Sequence, residues 1–202
     1  MIALVSRLLV PGLCGAEIWD EGQAVAIHPL EEVHVVQSAP KRRRDFALGR
    51  ACARAALAGL GHGEAVIAKG GDGAALWPPG IAGSITHTDG YAAALVGESG
   101  RFAGIGIDAE RVGGVTPDLW PRLFTGAEQE RLRTEADPLR VATLFFSAKE
   151  ACYKAWARKG ALAFREIEVT LDGGGFVATR HGTNLNGRYV VEKDLVLVAA
   201  WR

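Results

Sequence analysis

The chain has 202 residues, enough for one sizeable core or for two small halves packed together. Hydrophobic residues make up 49% and charged residues 23%, which excludes a disordered chain. Lys+Arg and Asp+Glu each total 23, so the net charge is zero; a broad basic field that coats nucleic acid is excluded and any anion site is local.

In chain order, MIALVSRLLVPGLCGAEIW reads as an early β-strand, because Arg7 interrupts the apolar run and no charged leader precedes it as in a signal peptide. Ser38 and Pro40 open a helix that runs to about Leu60 and is capped by Gly61. Phe46, Ala53, Leu57 and Leu60 fall near one face of it, and Arg43, Arg50 and Arg54 share another. The turn-rich piece KGGDGAALWPPG follows, then three strands: around Gly83 to His87, Tyr91 to Gly97, and Phe102 to Glu110. Gly113, Gly114 and Pro117 break the pattern. A second helix begins with Asp137 as N-cap and Pro138 in its first turn, and it stops at Gly160. EIEVTL, FVATR, GRYVVEK and LVLVAAW read as strands. The chain is therefore α+β, and each half carries one long helix and several strands. Cys14, Cys52 and Cys152 form no CxxC pair and read as reduced thiols of a cytoplasmic protein. No apolar stretch is long enough to span a membrane.

Asp108 and Glu110 stand two apart at the end of an apolar strand, so both point to one side while Ala109 points to the other. Two carboxylates on one side suit a hard cation such as Mg²⁺, and equally suit a solvated strand end beside Arg111. Glu150 tips the balance. Ala142, Phe146, Tyr153 and Trp156 trace an apolar stripe on the second helix, and Glu150 lies on or beside it. A carboxylate there needs a partner. Either Lys154 at i+4 pairs with it, or it meets the cation held by Asp108 and Glu110, or it takes a proton from an attacking hydroxyl. Lys149 and Lys154 flank it as point charges for phosphate oxygens.

KRRRDFALGR opens the first helix with four cations, which the helix dipole disfavours. A docked phosphate, a solvated surface run and a nucleic-acid patch are the readings open, and the neutral total charge speaks against the last. Thr86 and His87 each carry a donor for a phosphate, and Gly83 leaves room for close approach. Lys69 precedes a glycine-rich turn that lacks the GxxxxGK[ST] pattern of an NTPase.

In order, RRRDFALGR, WPPGIAGSITHTDGYAAALV, GIGIDAE and FFSAKEACYKAW resemble the motifs of the Sfp-type 4′-phosphopantetheinyl transferases, in particular the branch that activates enterobactin synthetase. The resemblance spans about Lys41 to Trp201. It implies one transferase domain over 1–202, built as two similar α+β lobes (about 1–101 and 102–202) related by a pseudo-two-fold, with the active site between them. It implies that Mg²⁺ is held by Asp108, Glu110 and Glu150. It implies that coenzyme A is contacted by Arg42, Arg50, Lys69, Thr86, His87, Asp108, Lys149 and Lys154. Of these, Arg42 and Arg50 take the 3′-phosphate, while His87 and the lysines face the pyrophosphate. Catalysis falls on Glu150, Asp108, Lys154 and His87. Which of Arg42, Arg43 and Arg44 meets the phosphate stays open.

The implied reaction moves phosphopantetheine from coenzyme A to a serine of an apo acyl or peptidyl carrier protein and releases 3′,5′-ADP. The implied protein is a cytoplasmic monomer without nucleic-acid or membrane partners. The principal rival is a non-catalytic coenzyme A or nucleotide-binding module.

Overall fold

The computed structural model describes residues 3–156 and 163–202. The chain divides into two compact units, 1–103 and 104–202.

The first unit opens with a 3-10 turn, Val5–Leu8, before β1 (Leu13–Trp19). Helix α1 (Pro40–Ala58) follows, then the hairpin of β2 (Ile81–Thr88) and β3 (Tyr91–Glu98). The three strands are antiparallel in the order β1-β3-β2. Cys52, Ala53, Ala56 and Leu57 of α1 pack on Ala92, Ala94 and Val96 of the central strand. Gly61 ends the helix by geometry: with φ +80°, it lets His62 N–H reach Leu57 O at 2.9 Å while its own N–H bonds Ala58 O at 3.1 Å. That is a Schellman turn.

The second unit opens with β4 (Ile105–Arg111). It starts later than the sequence pattern suggests, because the N–H groups of Arg101 and Phe102 turn back to Glu98 O at 3.0 and 2.9 Å. Two short helices that the pattern did not announce come next, α2 (Trp120–Leu123) and α3 (Gly126–Thr134). The long helix α4 is Pro138–Ala155, with Asp137 accepting the Arg140 N–H at 3.1 Å as its cap. The expected stop at Gly160 lies outside the described residues. Strands β5 (Glu168–Asp172), β6 (Gly175–Arg180), β7 (Thr183–Glu192) and β8 (Leu195–Trp201) complete an antiparallel sheet ordered β4-β8-β7-β6-β5.

Phe145, Ala148, Ala151, Cys152 and Ala155 carry α4 onto Val196, Val198 and Ala200 of this sheet. The stripe read from the sequence is therefore only the shoulder of the buried face. Ala142 is buried, but Phe146, Tyr153 and Trp156 are half-buried, as is Glu150.

Candidate active site

In the second unit, alternation along β4 turns Gly106, Asp108 and Glu110 toward α4 and Ala109 away. The glycines of GIGID set the distance between strand and helix. A methyl group added at Gly104 would stand 1.8 Å from Ala155 O, and one at Gly106 the same 1.8 Å from Ala151 O. Backbone thus lies against backbone, and short side chains on β4 reach the polar groups of the helix.

Asp108 uses that proximity. It is 5% exposed, and each of its oxygens has a donor from α4. Ser147 Oγ donates to Oδ2 at 2.9 Å, and Lys154 Nζ donates to Oδ1 at 2.8 Å and to Ile107 O at 2.9 Å. Lys154 therefore turns to Asp108, not to Glu150. Burial and the neighbouring charges of Asp108 and Glu150 push the Glu110 carboxyl up to about 7, with Lys154 opposing them. Asp108 and Glu150 thus both lie close enough to act on Glu110. The three carboxylates do not form a ready-made cage: among the described residues no three His, Cys, Asp or Glu side chains are gathered to hold a metal ion. The donor set nonetheless suits Mg²⁺, which takes one or two carboxylates and completes its shell with water and phosphate oxygens.

Lys149 is a correction to the sequence reading. It is fully buried, and its ammonium donates to Glu128 Oε2 at 2.5 Å and to the carbonyls of Leu123 and Phe164, each at 3.0 Å. An ammonium has three N–H groups, so none is left for a phosphate. Burial pulls its pKa below the ordinary lysine value, and Glu128 opposes that pull.

In the first unit the KRRR run separates into different tasks. Lys41 pairs with Asp89 at 3.2 Å, Arg43 with Glu32, and Arg44 Nε with both oxygens of Asp20 at 3.1 and 3.2 Å. Among the described residues Arg42 alone of the four has no acidic partner, and it is exposed.

Arg50 is more enclosed than its place on the arginine face of the helix suggests. It is 6% exposed, stacks on Phe46 at 4.4 Å, and donates from Nε to Ile67 O at 2.7 Å. It braces the segment before Lys69 from the inside and is not presented as an exposed hand for phosphate. Buried Glu31 braces the same segment, accepting the Ile67 N–H at 2.8 Å and both bonds of Arg54 Nη1 at 2.8 and 3.0 Å. Lys69 donates its backbone N–H to His34 Nε2 at 3.2 Å and bridges Ala75. Asp72 serves the turn between them, accepting the Ala74 N–H at 3.0 Å. The glycines there form a tight turn, not a phosphate loop.

Thr86 and His87 are neighbours on β2 and point to opposite faces. Thr86 is 4% exposed, whereas His87 is exposed on the α1 side, with Nδ1 3.9 Å from Asp45 Oδ2. Their two donors therefore lie on different faces of the strand.

Comparisons with known proteins bear on these residues. Residues 30–97 match the model of the 4′-phosphopantetheinyl transferase N-terminal domain, and residues 104–200 that of the 4′-phosphopantetheinyl transferase superfamily. The chain belongs to the 4′-phosphopantetheinyl transferase family. It is 41% identical to the transferase Npt of Nocardia iowensis, over 84% of this chain and 77% of that protein. It is 35% identical to PptT of Mycobacterium tuberculosis, over 93% and 91%, and 33% identical to Svp of Streptomyces mobaraensis, over 86% and 77%. A holo-[acyl-carrier-protein] synthase from Thermotoga maritima shares 19% identity over 50% of this chain and 62% of its own, with a TM-score of 0.45. By its family the chain is a transferase, and its own helices and sheets make it α+β. Among the described residues no helix is long and apolar enough to cross a membrane.

Three features around the candidate residues had no part in the sequence reading. Ser147 lies inside FFSAKE, where nothing in the sequence sets it apart. Glu128 carried a legible signal, the T-x-x-E spacing from Thr125, and it forms the capping box of α3 while also receiving Lys149. The Glu31–Arg54 brace joins residues with no local pattern.

Proposed function

We propose that this chain transfers the 4′-phosphopantetheine group of coenzyme A to a serine hydroxyl of an apo carrier protein and releases 3′,5′-ADP. The supporting observation is the Asp108 carboxylate, held by Ser147 and Lys154 beside a Glu110 that feels the charges of both Asp108 and Glu150, in a chain of this family.

Asp108, Glu110 and Glu150 are the residues that would hold Mg²⁺. When bound, the ion supplies charge neutralisation at the pyrophosphate oxygens. Glu150 accepts the serine proton, directly or through a water. The serine oxygen forms a bond to the phosphorus on the pantetheine side, and the bond from that phosphorus to the oxygen of departing 3′,5′-ADP breaks. Lys154 holds Asp108 in place. His87, Thr86 and Lys69 serve the phosphates of coenzyme A. Arg42 takes the 3′-phosphate, since its neighbours in the run are already paired. The work is mostly positioning and electrostatics.

The carrier is an acyl or peptidyl carrier protein of siderophore, polyketide or nonribosomal peptide assembly, as in the enterobactin-synthetase-activating branch. The enzyme works as a cytoplasmic monomer without nucleic-acid or membrane partners.

The test is intact-mass spectrometry of an apo carrier domain incubated with coenzyme A, with and without Mg²⁺. Wild-type protein adds phosphopantetheine only when both are present. Glu150→Gln lowers turnover severely while leaving the circular dichroism spectrum intact. A folded Glu150→Gln protein working at the wild-type rate would remove both roles given to Glu150.

A further inference from the structure

We infer that Lys149 is a positioning residue: with Glu128 it forms a buried strut that sets the rotation of α4, and hence Glu150, without touching phosphate. This rests on the role proposed above for Glu150.

The strut is saturated on both sides. The Lys149 ammonium spends its three protons on Glu128, Leu123 O and Phe164 O. Glu128 spends Oε2 on Lys149 and on the Thr125 N–H at 2.8 Å, and Oε1 on the Val169 N–H at 3.0 Å. Lysine is 0% and glutamate 3% exposed at the side chain, so the charges meet away from solvent. A buried lysine facing a matched carboxylate and two carbonyls has nothing left to offer a dianion.

What the strut joins explains why it matters. The end of α2, the start of α3 and residue 164 meet at one ammonium carried by α4, and Glu128 extends the tie to β5 through the Val169 N–H. On the side toward β4, α4 is tied to Asp108 through Ser147 and Lys154. Glu150 lies between these two sets of ties, one residue after Lys149. A helix turned by a fraction of a residue moves a carboxylate by ångströms, and a misplacement of about 1 Å costs about a hundredfold in rate. The strut therefore acts first on turnover, through the placement of Glu150, and on coenzyme A only through that same carboxylate.

Three variants separate this from a phosphate-binding role. Glu128→Gln leaves Lys149 in place but removes its counter-charge. Lys149→Met removes the ammonium and leaves a buried carboxylate. E128Q/K149M removes both charges. The strut predicts that both single variants lose kcat by about tenfold or more, with any change in the KM for coenzyme A small and the same in both, and that the double variant regains at least part of the loss over Lys149→Met. If Lys149 binds phosphate, Lys149→Met raises the KM for coenzyme A, Glu128→Gln works normally, and the double variant recovers nothing; that pattern overturns the inference. Should Lys149→Met fail to fold, Glu128→Gln alone decides, because only the strut predicts its defect. Amide exchange at Val169 reads the strut without reference to activity, and it speeds up in Lys149→Met. Glu150→Gln assayed in parallel isolates the other premise: a normal rate there removes Glu150 as the point of action, while the exchange result still reports on the strut.

Discussion

Gly106 and Ala151 are in contact through their backbones: a methyl group on Gly106 would sit 1.8 Å from the Ala151 carbonyl oxygen and 2.7 Å from its carbon. A helix carbonyl cannot turn aside as a side chain can. Gly106→Ala therefore forces β4 and α4 apart, breaking the reach of Ser147 and Lys154 to Asp108 two residues on. We expect a loss of at least about 3 kcal/mol, beyond ordinary overpacking. Differential scanning calorimetry would register this as a Tm lower by roughly 10 °C.

That contact also shows what was legible in the sequence. The helices around Pro40 and Pro138 and most strands follow from periodicity and punctuation, which are local. The i, i+2 placement of Asp108 and Glu110 on one side is likewise local, and the strand bears it out. The fates of Lys149 and Arg50 were not legible. A lysine beside a candidate carboxylate looks the same in sequence whether its ammonium meets solvent or a buried Glu128 brought from 21 positions away. Arg50 shared a predicted face with Arg43 and Arg54, yet residues 67 and 68, from a loop with no periodicity, cover it. The division of labour within KRRR depended on Asp20, Glu32 and Asp89, each supplied by a different segment.

Ser147 is the donor to Asp108 that a substitution removes most cleanly. Ser147→Ala leaves Oδ2 of a nearly buried carboxylate without its hydroxyl, so Asp108 keeps only the Lys154 side of its clasp. An outer hydrogen-bond partner of this kind tunes affinity by about 10- to 100-fold in known metal sites. We expect the Mg²⁺ concentration giving half-maximal transfer to rise by about tenfold, with the KM for the carrier unchanged. Ser147→Thr, which retains the hydroxyl, restores most of the loss. An unchanged Mg²⁺ dependence in folded Ser147→Ala would show that the hydroxyl does not orient Asp108.

Arg42 and Arg44 give opposite phenotypes although one residue separates them. Arg42→Ala removes an exposed, acid-free guanidinium and raises the KM for coenzyme A by about tenfold, the worth of a charge-assisted contact. Dephospho-coenzyme A, which lacks the 3′-phosphate, erases the difference between Arg42→Ala and wild type. Arg44→Ala leaves that KM alone and lowers stability, because Arg44 holds Asp20.

The stability effect of Arg44 carries a pH signature. The hydrogen bond from Arg44 holds the Asp20 carboxyl below its ordinary value of 3.8. A carboxyl depressed in the folded state contributes stability above its unfolded pKa, and loses it as pH falls through the folded value. The Tm gap between wild type and Arg44→Ala is therefore full near neutrality and narrows as pH drops below about 4. Thermal melts of both proteins across that range measure it; a gap constant with pH would mean that Arg44 contributes by packing alone.

The three cysteines differ in what covers them, and that predicts an order of reaction. Cys52 packs under β3 with its thiol on Ala92 O at 3.4 Å, and burial pushes its pKa up to about 12. Cys152 lies in the α4 core, where burial raises its thiol further still. The thiolate is the reacting species, so both are inert twice over, by access and by protonation. Cys14 is half-buried on β1. Native protein treated with iodoacetamide and digested for mass spectrometry should carry label at Cys14 first. Label at Cys52 and Cys152 should appear only with global unfolding, tracking the denaturation curve of each unit. Modification of Cys152 ahead of Cys14 in native buffer would mean that α4 leaves its sheet far more readily than the close β4 contact allows.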